Sequence, residues 1–375
     1  MGLSPWTLSV LARTLFRRRR DPRGDTHLLL AIADHFEPFS GGVSPEVARR
    51  RVARWVDDYP RTHGTFRDAD GKPPRHTFFY PIEEYVSEHL DALASLCRKG
   101  FGEVEIHLHH DGDTAETLRA TLSEAVDVLS QRHGLLARRR EDGAPMYAFV
   151  HGNWALNNAR ADGRWCGVND EIRVLIETGC YADFTFPSAP SETQPPTVNL
   201  IYYARSDHRY PRGHDHGQPV GNGHVPEGSL MLIPGPLGLD WGRRKWRIFP
   251  RLENACVQAS QPATVARVKL WLNAGVQIPS RPDWFFVKLH AHGATELDSA
   301  CLLGDPMHQF HGELARLTAE NPRFHVHYVT AREMYNLAKA AEAGWSGTVD
   351  AARDFMLVSQ CSEPMIASHE KGLNR

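Results

Sequence analysis

The sequence predicts an α/β protein built on a parallel sheet, either a barrel or an open sheet. Strand-like apolar runs alternate with helical patterns along most of the 375 residues, which is typical of parallel strands joined by crossover helices. The run over residues 28–33 is apolar at every position, as expected of a strand that is buried on both faces. Four such runs end in His or Asp, and α/β folds place their sites at the carboxyl ends of strands.

The predicted elements follow one another in regular order. Predicted strands begin at residue 26 and cover residues 75–81, 102–109, 146–150, 181–186, 284–290 and 324–329. Predicted helices begin near residue 45 and cover residues 84–97, 114–133, 169–178, 263–274, 307–319 and 331–343. Frequent Pro and Gly indicate a loop-rich insertion at about 190–280 within a domain over 23–345, and a weakly patterned tail covers 346–375.

Composition limits the class of protein. The hydrophobic fraction of 41% and the charged fraction of 23% are ordinary for a soluble globular protein. A net charge of −2 favours neither nucleic acid nor an anionic surface, so no nucleic-acid partner is expected. The six Cys form no CxxC pair, which favours reduced thiols and a cytoplasmic location. The 21 His are the unusual feature and suggest metal or acid–base chemistry.

The N-terminal segment, residues 1–22, has a short apolar stretch followed by four consecutive Arg at 17–20. A secretory signal carries its positive charge before the apolar run, and this run is too short to span a bilayer. One interpretation is an amphipathic helix that makes a peripheral membrane contact through residues 1–20. The other is a helix packed on the domain, or a frayed end.

The stretch over residues 102–114 carries the densest group of candidate ligands. His107 and His109 alternate along a strand, so they share a face at a spacing of about 7 Å, and His110 is expected to face away. Asp113 is a candidate ligand and also a candidate N-cap of the next helix, with Asp111 as the alternative carboxylate.

Three further strand ends carry polar side chains. The first strand ends at Asp34, His35 and Glu37. The predicted strands over residues 146–150 and 284–290 each lead into a further group of candidates. These groups are His151, Asn153 and Trp154, and His290 and His292. Their convergence on one edge of the sheet predicts a site.

The ordered motifs resemble the polysaccharide deacetylase (NodB-homology) family over roughly residues 26–190 and 284–335. The segments that carry the resemblance are Leu28-Leu-Leu-Ala-Ile-Ala-Asp34-His35, His76-Thr-Phe-Phe79, Gly102-Glu-Val-Glu-Ile-His-Leu-His109, Gly179-Cys-Tyr-Ala-Asp-Phe-Thr185 and Lys288-Leu-His290. The sequence departs from the family's paired Asp, which is Asp34-His35 here, and from its second metal His, which is Asp113. The family's Arg-Pro-Pro-Tyr-Gly segment is replaced by Val150-His-Gly-Asn-Trp154.

This resemblance implies a distorted parallel (β/α) barrel that binds a divalent metal ion, with zinc expected. Asp34, His109 and Asp113 map onto the ligand set. If Asp34 instead matches the first family Asp, it is the catalytic base and His35 is the ligand; if it matches the second, Asp34 is the ligand and the base is either missing or supplied by Glu37. His290 is the candidate general acid, and His292 is a second candidate for that role.

The expected activity is metal-dependent hydrolysis that deacetylates an N-acyl sugar or polysaccharide. Substrate contacts are expected from His107, His151, Asn153, Trp154 and His292. Two alternatives stay open: an amidase for a small non-sugar C–N substrate on the same fold, and a glycan-binding protein without catalytic activity.

Two other groups are candidates for binding. His208, His214 and His216 lie in a Gly/Pro-rich loop, either as a second metal site or as part of a solvated lid. The basic run over residues 243–247 is either a site for an anionic lipid or acidic glycan or a solvated face.

Overall fold

The computed structural model describes residues 24–221 and 224–361, together with Trp6, Thr7 and Ser9. Those three N-terminal residues are helical. The rest of the predicted basic segment, and with it most of the proposed membrane contact, lies outside the described residues.

A 12-stranded sheet organises the chain, and two further strands form a separate hairpin. The strands are β1 (Thr26–His35), β2 (His76–Pro81), β3 (Gly102–Leu108), β4 (Ala137–Arg139), β5 (Pro145–His151), β6 (Cys180–Asp183), β7 (Tyr202–Ala204), β8 (Gln218–Pro219), β9 (Leu230–Leu232), β10 (Gly238–Lys245), β11 (Phe249–Glu253), β12 (Trp284–Ala291), β13 (Phe324–Tyr328) and β14 (Leu357–Ser359). Strands β10 and β11 form the hairpin.

The helices lie between these strands. They are α1 (Pro45–His63), α2 (Ser87–Arg98), α3 (Ala115–Asp127), α4 (Glu171–Glu177), α5 (Val265–Ala274), α6 (Glu296–Leu302), α7 (Asp305–Glu320), α8 (Ala331–Glu342) and α9 (Val349–Ala352).

The central part of the sheet is parallel. Its order is β12-β1-β2-β3-β5-β6-β9-β7-β8, and every neighbouring pair from β12 to β9 is parallel. Strand β13 also pairs with the start of β1. The predicted α/β architecture with a mostly parallel sheet is therefore confirmed. Because parallel strands share one carboxyl edge, the ends of β1, β3, β5 and β12 lie on the same side of the molecule.

Strand β1 shows why side-chain alternation matters for the site. Leu28, Leu30 and Ile32 belong to the core under helices such as α1 and α2, and we call this side of the sheet the outer face. Leu29 and Ala31 point the other way, into a second core that contains Phe184 and Phe286; we call this side the inner face.

The insertion and the tail differ in how they join the sheet. Between β6 and α5 the described residues form the short strands β7, β8 and β9, one short helical turn, the β10–β11 hairpin and irregular segments. The predicted tail is part of the fold up to its last described residues, because β14 pairs with β4. Asn336 of α8 holds this segment: its side-chain amide donates to Leu357 O at 2.8 Å, and its carbonyl oxygen accepts from Leu357 N at 2.9 Å.

No helix within the described ranges combines the length and the apolar character needed to cross a bilayer.

Candidate metal centre

The carboxyl edge of the inner face brings together histidines from three strands. The ring of His35, the last residue of β1, lies 4.8 Å from the ring of His107 on β3. It lies 4.7 Å from the ring of His292, which follows β12. Leu29, Ala31, Ala33 and His35 alternate along one strand, so the apolar inner core leads directly to these rings.

A carboxylate completes a set suited to a metal ion. Glu37 lies two residues beyond His35, and one ligand atom each from His35, Glu37 and His107 lie within 4.8 Å of one another. We call these three residues the rim cluster. Two His and one carboxylate, with a position left open, form the ligand set of many catalytic zinc sites.

The hydrogen bonding of His107 fits a cation. Its Nδ1 lies 3.1 Å from the carbonyl oxygen of Val150, which can only accept, so Nδ1 carries the ring proton. In a neutral ring the lone pair then lies on Nε2, which faces Glu37 Oε1 at 3.2 Å. Two acceptors face each other there, as expected where a metal ion binds between them.

His35 also fits the role of a ligand. Burial, together with the nearby His292 and His107, holds the pKa of His35 well below its usual value, so the ring is neutral. Its Nδ1 is buried and has no hydrogen-bond partner. A neutral imidazole with a free nitrogen is the form that binds metals.

His109 lies beside the rim cluster and is held by a carboxylate. Its ring is 4.6 Å from that of His107, and its Nδ1 is 2.5 Å from Glu83 Oε1. Its Nε2 is 3.7 Å from Glu37 Oε1. Burial is the largest single influence and lowers the pKa of His109, but the hydrogen bond and charge of Glu83, together with the charges of Glu37 and Glu84, outweigh it, so the net change is upward. His109 therefore lies next to the rim cluster with its ring held by Glu83, and it is not one of the three residues of that cluster.

Asp34 does not reach the rim cluster. It points to the outer face, where His76 Nε2 lies 2.8 Å from its Oδ2 and Gly293 N donates to its Oδ1 at 2.6 Å. Both oxygens of Asp34 join β1 to neighbouring segments, so this geometry does not place Asp34 in the rim cluster, and its role as ligand or base stays a prediction. His35 and Glu37 provide the groups of this strand end that reach the site.

The two candidate acids after β12 differ in access. His290 is buried, and burial, then Lys288, holds its pKa well below the usual value. Its ring is 6.4 Å from that of His35. His292 is closer to His35 and is half-buried, so it is the more accessible of the two.

A second group of polar side chains lies on the outer face. His110, expected to be exposed, is directed inward, with Nε2 3.2 Å from Glu171 Oε1. His151, expected in the substrate groove, is fully buried, and its ring lies 4.8 Å from that of His110. With Cys166 they complete a set whose ligand atoms all lie within 4.8 Å of one another. We call His110, His151, Cys166 and Glu171 the outer cluster.

Asp113 belongs to the edge of the outer cluster. Its Oδ2 is 3.2 Å from His110 Nδ1, and its Oδ1 accepts from Thr114 N at 2.9 Å. The N-cap of α3 is Thr114, in a capping box with Thr117, so Asp113 is neither the N-cap nor a member of the rim cluster.

The residues after His151 lie between the two clusters. The Trp154 ring is half-buried and lies edge-on, 6.5 Å from the rings of both His35 and His292. Asn153 N points at His151 Nδ1 at 3.3 Å. Of the predicted substrate contacts in this segment, Trp154 is the one that lies against the rings at the rim.

The remaining candidates do not assemble into a site. His208 is exposed, His214 is fully buried against Phe186 and His216 is exposed, and none belongs to a group with metal-ligand spacing in the described residues. The basic run, which includes the exposed Trp246, lies on the β10–β11 hairpin near the exposed Phe249.

Three residues that the sequence did not single out contribute to these groups: Glu83, Cys166 and Glu171. Each is an isolated polar residue in a turn, a loop or a helix start, without a motif around it. The only available signal was indirect, since most buried polar side chains are hydrogen-bonded.

Comparison with known proteins adds no assignment: no protein-family model matches the sequence, and no curated protein matches it significantly.

Proposed function

We propose that this protein is a metal-dependent hydrolase that removes an acyl group from an N-acyl sugar or polysaccharide. The observation that carries the proposal is the rim cluster of His35, Glu37 and His107, whose Glu37 also lines an open groove. We expect zinc as the ion, because two His and one carboxylate suit it. When bound there, the ion would polarise the acyl carbonyl and activate a water molecule.

Amide hydrolysis also needs groups that accept and donate protons. His292 and His109 flank the rim cluster on two sides, beside His35 and His107 respectively. Glu83 fixes the His109 ring, so we assign His109 to protonate the leaving amine. His292 is then the group that accepts the proton of the attacking water.

The surroundings favour a sugar over a small amide. An open groove borders the site and is lined in part by Glu37, Phe39, Glu83, Tyr85 and His109. Trp154 borders the rim from another side. Aromatic side chains at the edge of an open groove suit the apolar faces of sugar rings.

The proposed fold is a distorted barrel of the deacetylase type. The segment around Cys256 pairs in parallel with His290 on the free side of β12. The backbone at Gly235 bonds to Phe186 O at 3.0 Å, and a Cβ there would lie 2.3 Å from Lys288 O. These irregular segments bridge β6 and β12, and we propose that they close the sheet.

The test is acetate release from acetylated glucosamine oligomers by the zinc-loaded protein, with small aliphatic amides in parallel. We expect release from the oligomers, and a loss of at least about a hundredfold in His35→Ala and His107→Ala, with one ion fewer per chain. His216→Ala, an exposed histidine, is the control and should match the parent. Hydrolysis of small amides alone would favour the amidase alternative. Oligomer binding without release would identify a glycan-binding protein.

A further inference from the structure

We propose that the outer cluster is a second, structural metal site, which binds one zinc-type divalent ion through His110, His151, Cys166 and Glu171. This inference does not rest on the proposed hydrolytic function. It would hold equally in a protein that only binds glycans.

The spacing of the four side chains suits a tetrahedral ion. Metal–ligand bonds of about 2.0–2.3 Å place tetrahedral ligands about 3.3–3.8 Å apart. From Glu171, its Oε1 is 3.2 Å from His110 Nε2 and 3.7 Å from His151 Nε2, and its Oε2 is 3.4 Å from Cys166 Sγ. The cluster therefore needs only small side-chain shifts to surround an ion.

The charges also balance. Cys166, His151 and Glu171 are fully buried, and His110 is nearly so. A divalent ion with one thiolate, one carboxylate and two neutral imidazoles has no net charge, which is what a buried site requires. The rim cluster would supply three protein ligands beside an open groove, whereas this buried cluster would supply four, as structural zinc sites do.

The contacts around the two histidines bear on how they would bind. Asp113 Oδ2 lies 3.2 Å from His110 Nδ1 without hydrogen-bond geometry, and a small rotation would let it accept the Nδ1 proton and leave Nε2 for the ion. The 3.3 Å contact from Asn153 N to His151 Nδ1 would have to lengthen, because Nδ1 carries the ring proton once Nε2 binds a metal.

The site would fix the loop between β5 and α4. This loop spans residues 152–170 without a helix or strand, and four of its non-glycine residues have positive φ: Trp154, Asn157, Asn158 and Trp165. Such backbone conformations persist only where the surroundings enforce them. His151 precedes the loop, Cys166 lies within it and Glu171 follows it, so one ion would hold both ends and position Trp154 at the rim.

The experiment is metal counting and cobalt substitution of the full-length protein. We expect two ions per chain, and in the cobalt form a thiolate-to-cobalt charge-transfer absorption in the near ultraviolet. Cys166→Ser should lose this absorption and one ion. Cys180→Ser changes another buried thiol outside the cluster and should keep both.

The outcomes separate this site from the rim cluster. His107→Ala should lose one ion and keep the charge-transfer absorption. If the parent protein bound a single cobalt ion per chain and still showed the thiolate absorption, the outer cluster would be supported and the rim cluster would not bind metal. A cobalt form of the parent protein without thiolate absorption would overturn the inference and leave His110 and Glu171 as a buried ion pair. That measurement needs no variant, so it decides the matter even if Cys166→Ser fails to fold.

Discussion

The Asp34 carboxylate joins three segments that are distant in sequence: β1, β2 through His76, and the turn at Gly293. Asp34→Ala would leave two buried donors without an acceptor. We expect a loss of about 2–4 kcal/mol in the free energy of unfolding, measured by urea denaturation, with the metal content unchanged.

Asp127→Ala is the matched control, because Asp127 is exposed and accepts one bond from Gln131. It should change the stability by less than about 0.5 kcal/mol. If Asp34→Ala instead kept its stability and lost an ion, Asp34 would be a ligand after all.

The choice between Asp34 and His35 shows what sequence alone could not decide. The alternation of a strand places the two on opposite faces, but residues 28–33 are apolar throughout, so no polar partner marks the face that leads to the site. His107 and His109 were predictable as a pair, since both follow from the alternation of one strand.

At the level of elements, the approach of the β5 end to β3 depends on a glycine. A Cβ at Gly152 would lie 2.2 Å from His109 Cδ2, so the ring would have to move. We expect Gly152→Ala to lower kcat/KM for the acylated oligomer by about ten- to a hundredfold, because a displaced acid–base group loses its alignment. Steady-state kinetics and metal counting test this, and the metal content should not change.

Gly312→Ala in α7 is the control for this substitution. No atom lies within 4 Å of the added Cβ, and the residue is helical. It should keep full activity and gain about 0.5–1 kcal/mol in stability. Equal activity in Gly152→Ala would show that the position of His109 does not matter.

The outer cluster could not be predicted from the sequence, because its assembly depends on irregular segments. Its four residues come from a β–α loop, a strand end, a long irregular loop and a helix start. Periodicity predicts strands and helices, but it does not predict the path of a loop such as 152–170, on which the position of Cys166 depends.

For the whole molecule, acid stability depends on histidines that are buried in the neutral form. Burial, then Arg212, lowers the pKa of His214 to about 3, although Glu171 opposes the change. The unfolded chain has the usual pKa near 6.5 and takes up the proton first as the pH falls. Stability is therefore present above pH 6.5 and is lost as the pH falls toward 3, at up to about 1.4 kcal/mol per pH unit.

His214→Phe should reduce this loss. Neither ring nitrogen of His214 has a hydrogen-bond partner, and its ring stacks on Phe186 at 4.9 Å, so Phe can replace it in the core. Between pH 6.5 and 4.5 the variant should lose up to about 2–3 kcal/mol less than the parent, as measured by urea denaturation at each pH.

His208→Phe, at an exposed position of the same region, should follow the parent's pH dependence. If the free energy of unfolding fell equally steeply with pH in His214→Phe and in the parent, His214 would not contribute to the acid sensitivity as its burial predicts.

The order of strands and helices along the whole chain was predictable, because most of them carry their own hydrophobic pattern. The α/β class and the mostly parallel sheet followed from that order. The packing of residues 349–352 against α8 and the pairing of residues 357–359 with β4 did not, because a four-residue helix and a three-residue strand are too short to show a period.

The run from His107 to His110 places consecutive strand and loop residues on opposite faces of the sheet, with His109 beside the rim cluster and His110 in the outer cluster. One inserted or deleted residue here would exchange the faces and disrupt both groups at once. Among related sequences we expect length differences to accumulate in the irregular segment between β6 and α5 and to be absent from these four positions. An alignment gap inside the run would therefore mark a protein that has lost both groups, whatever its overall similarity.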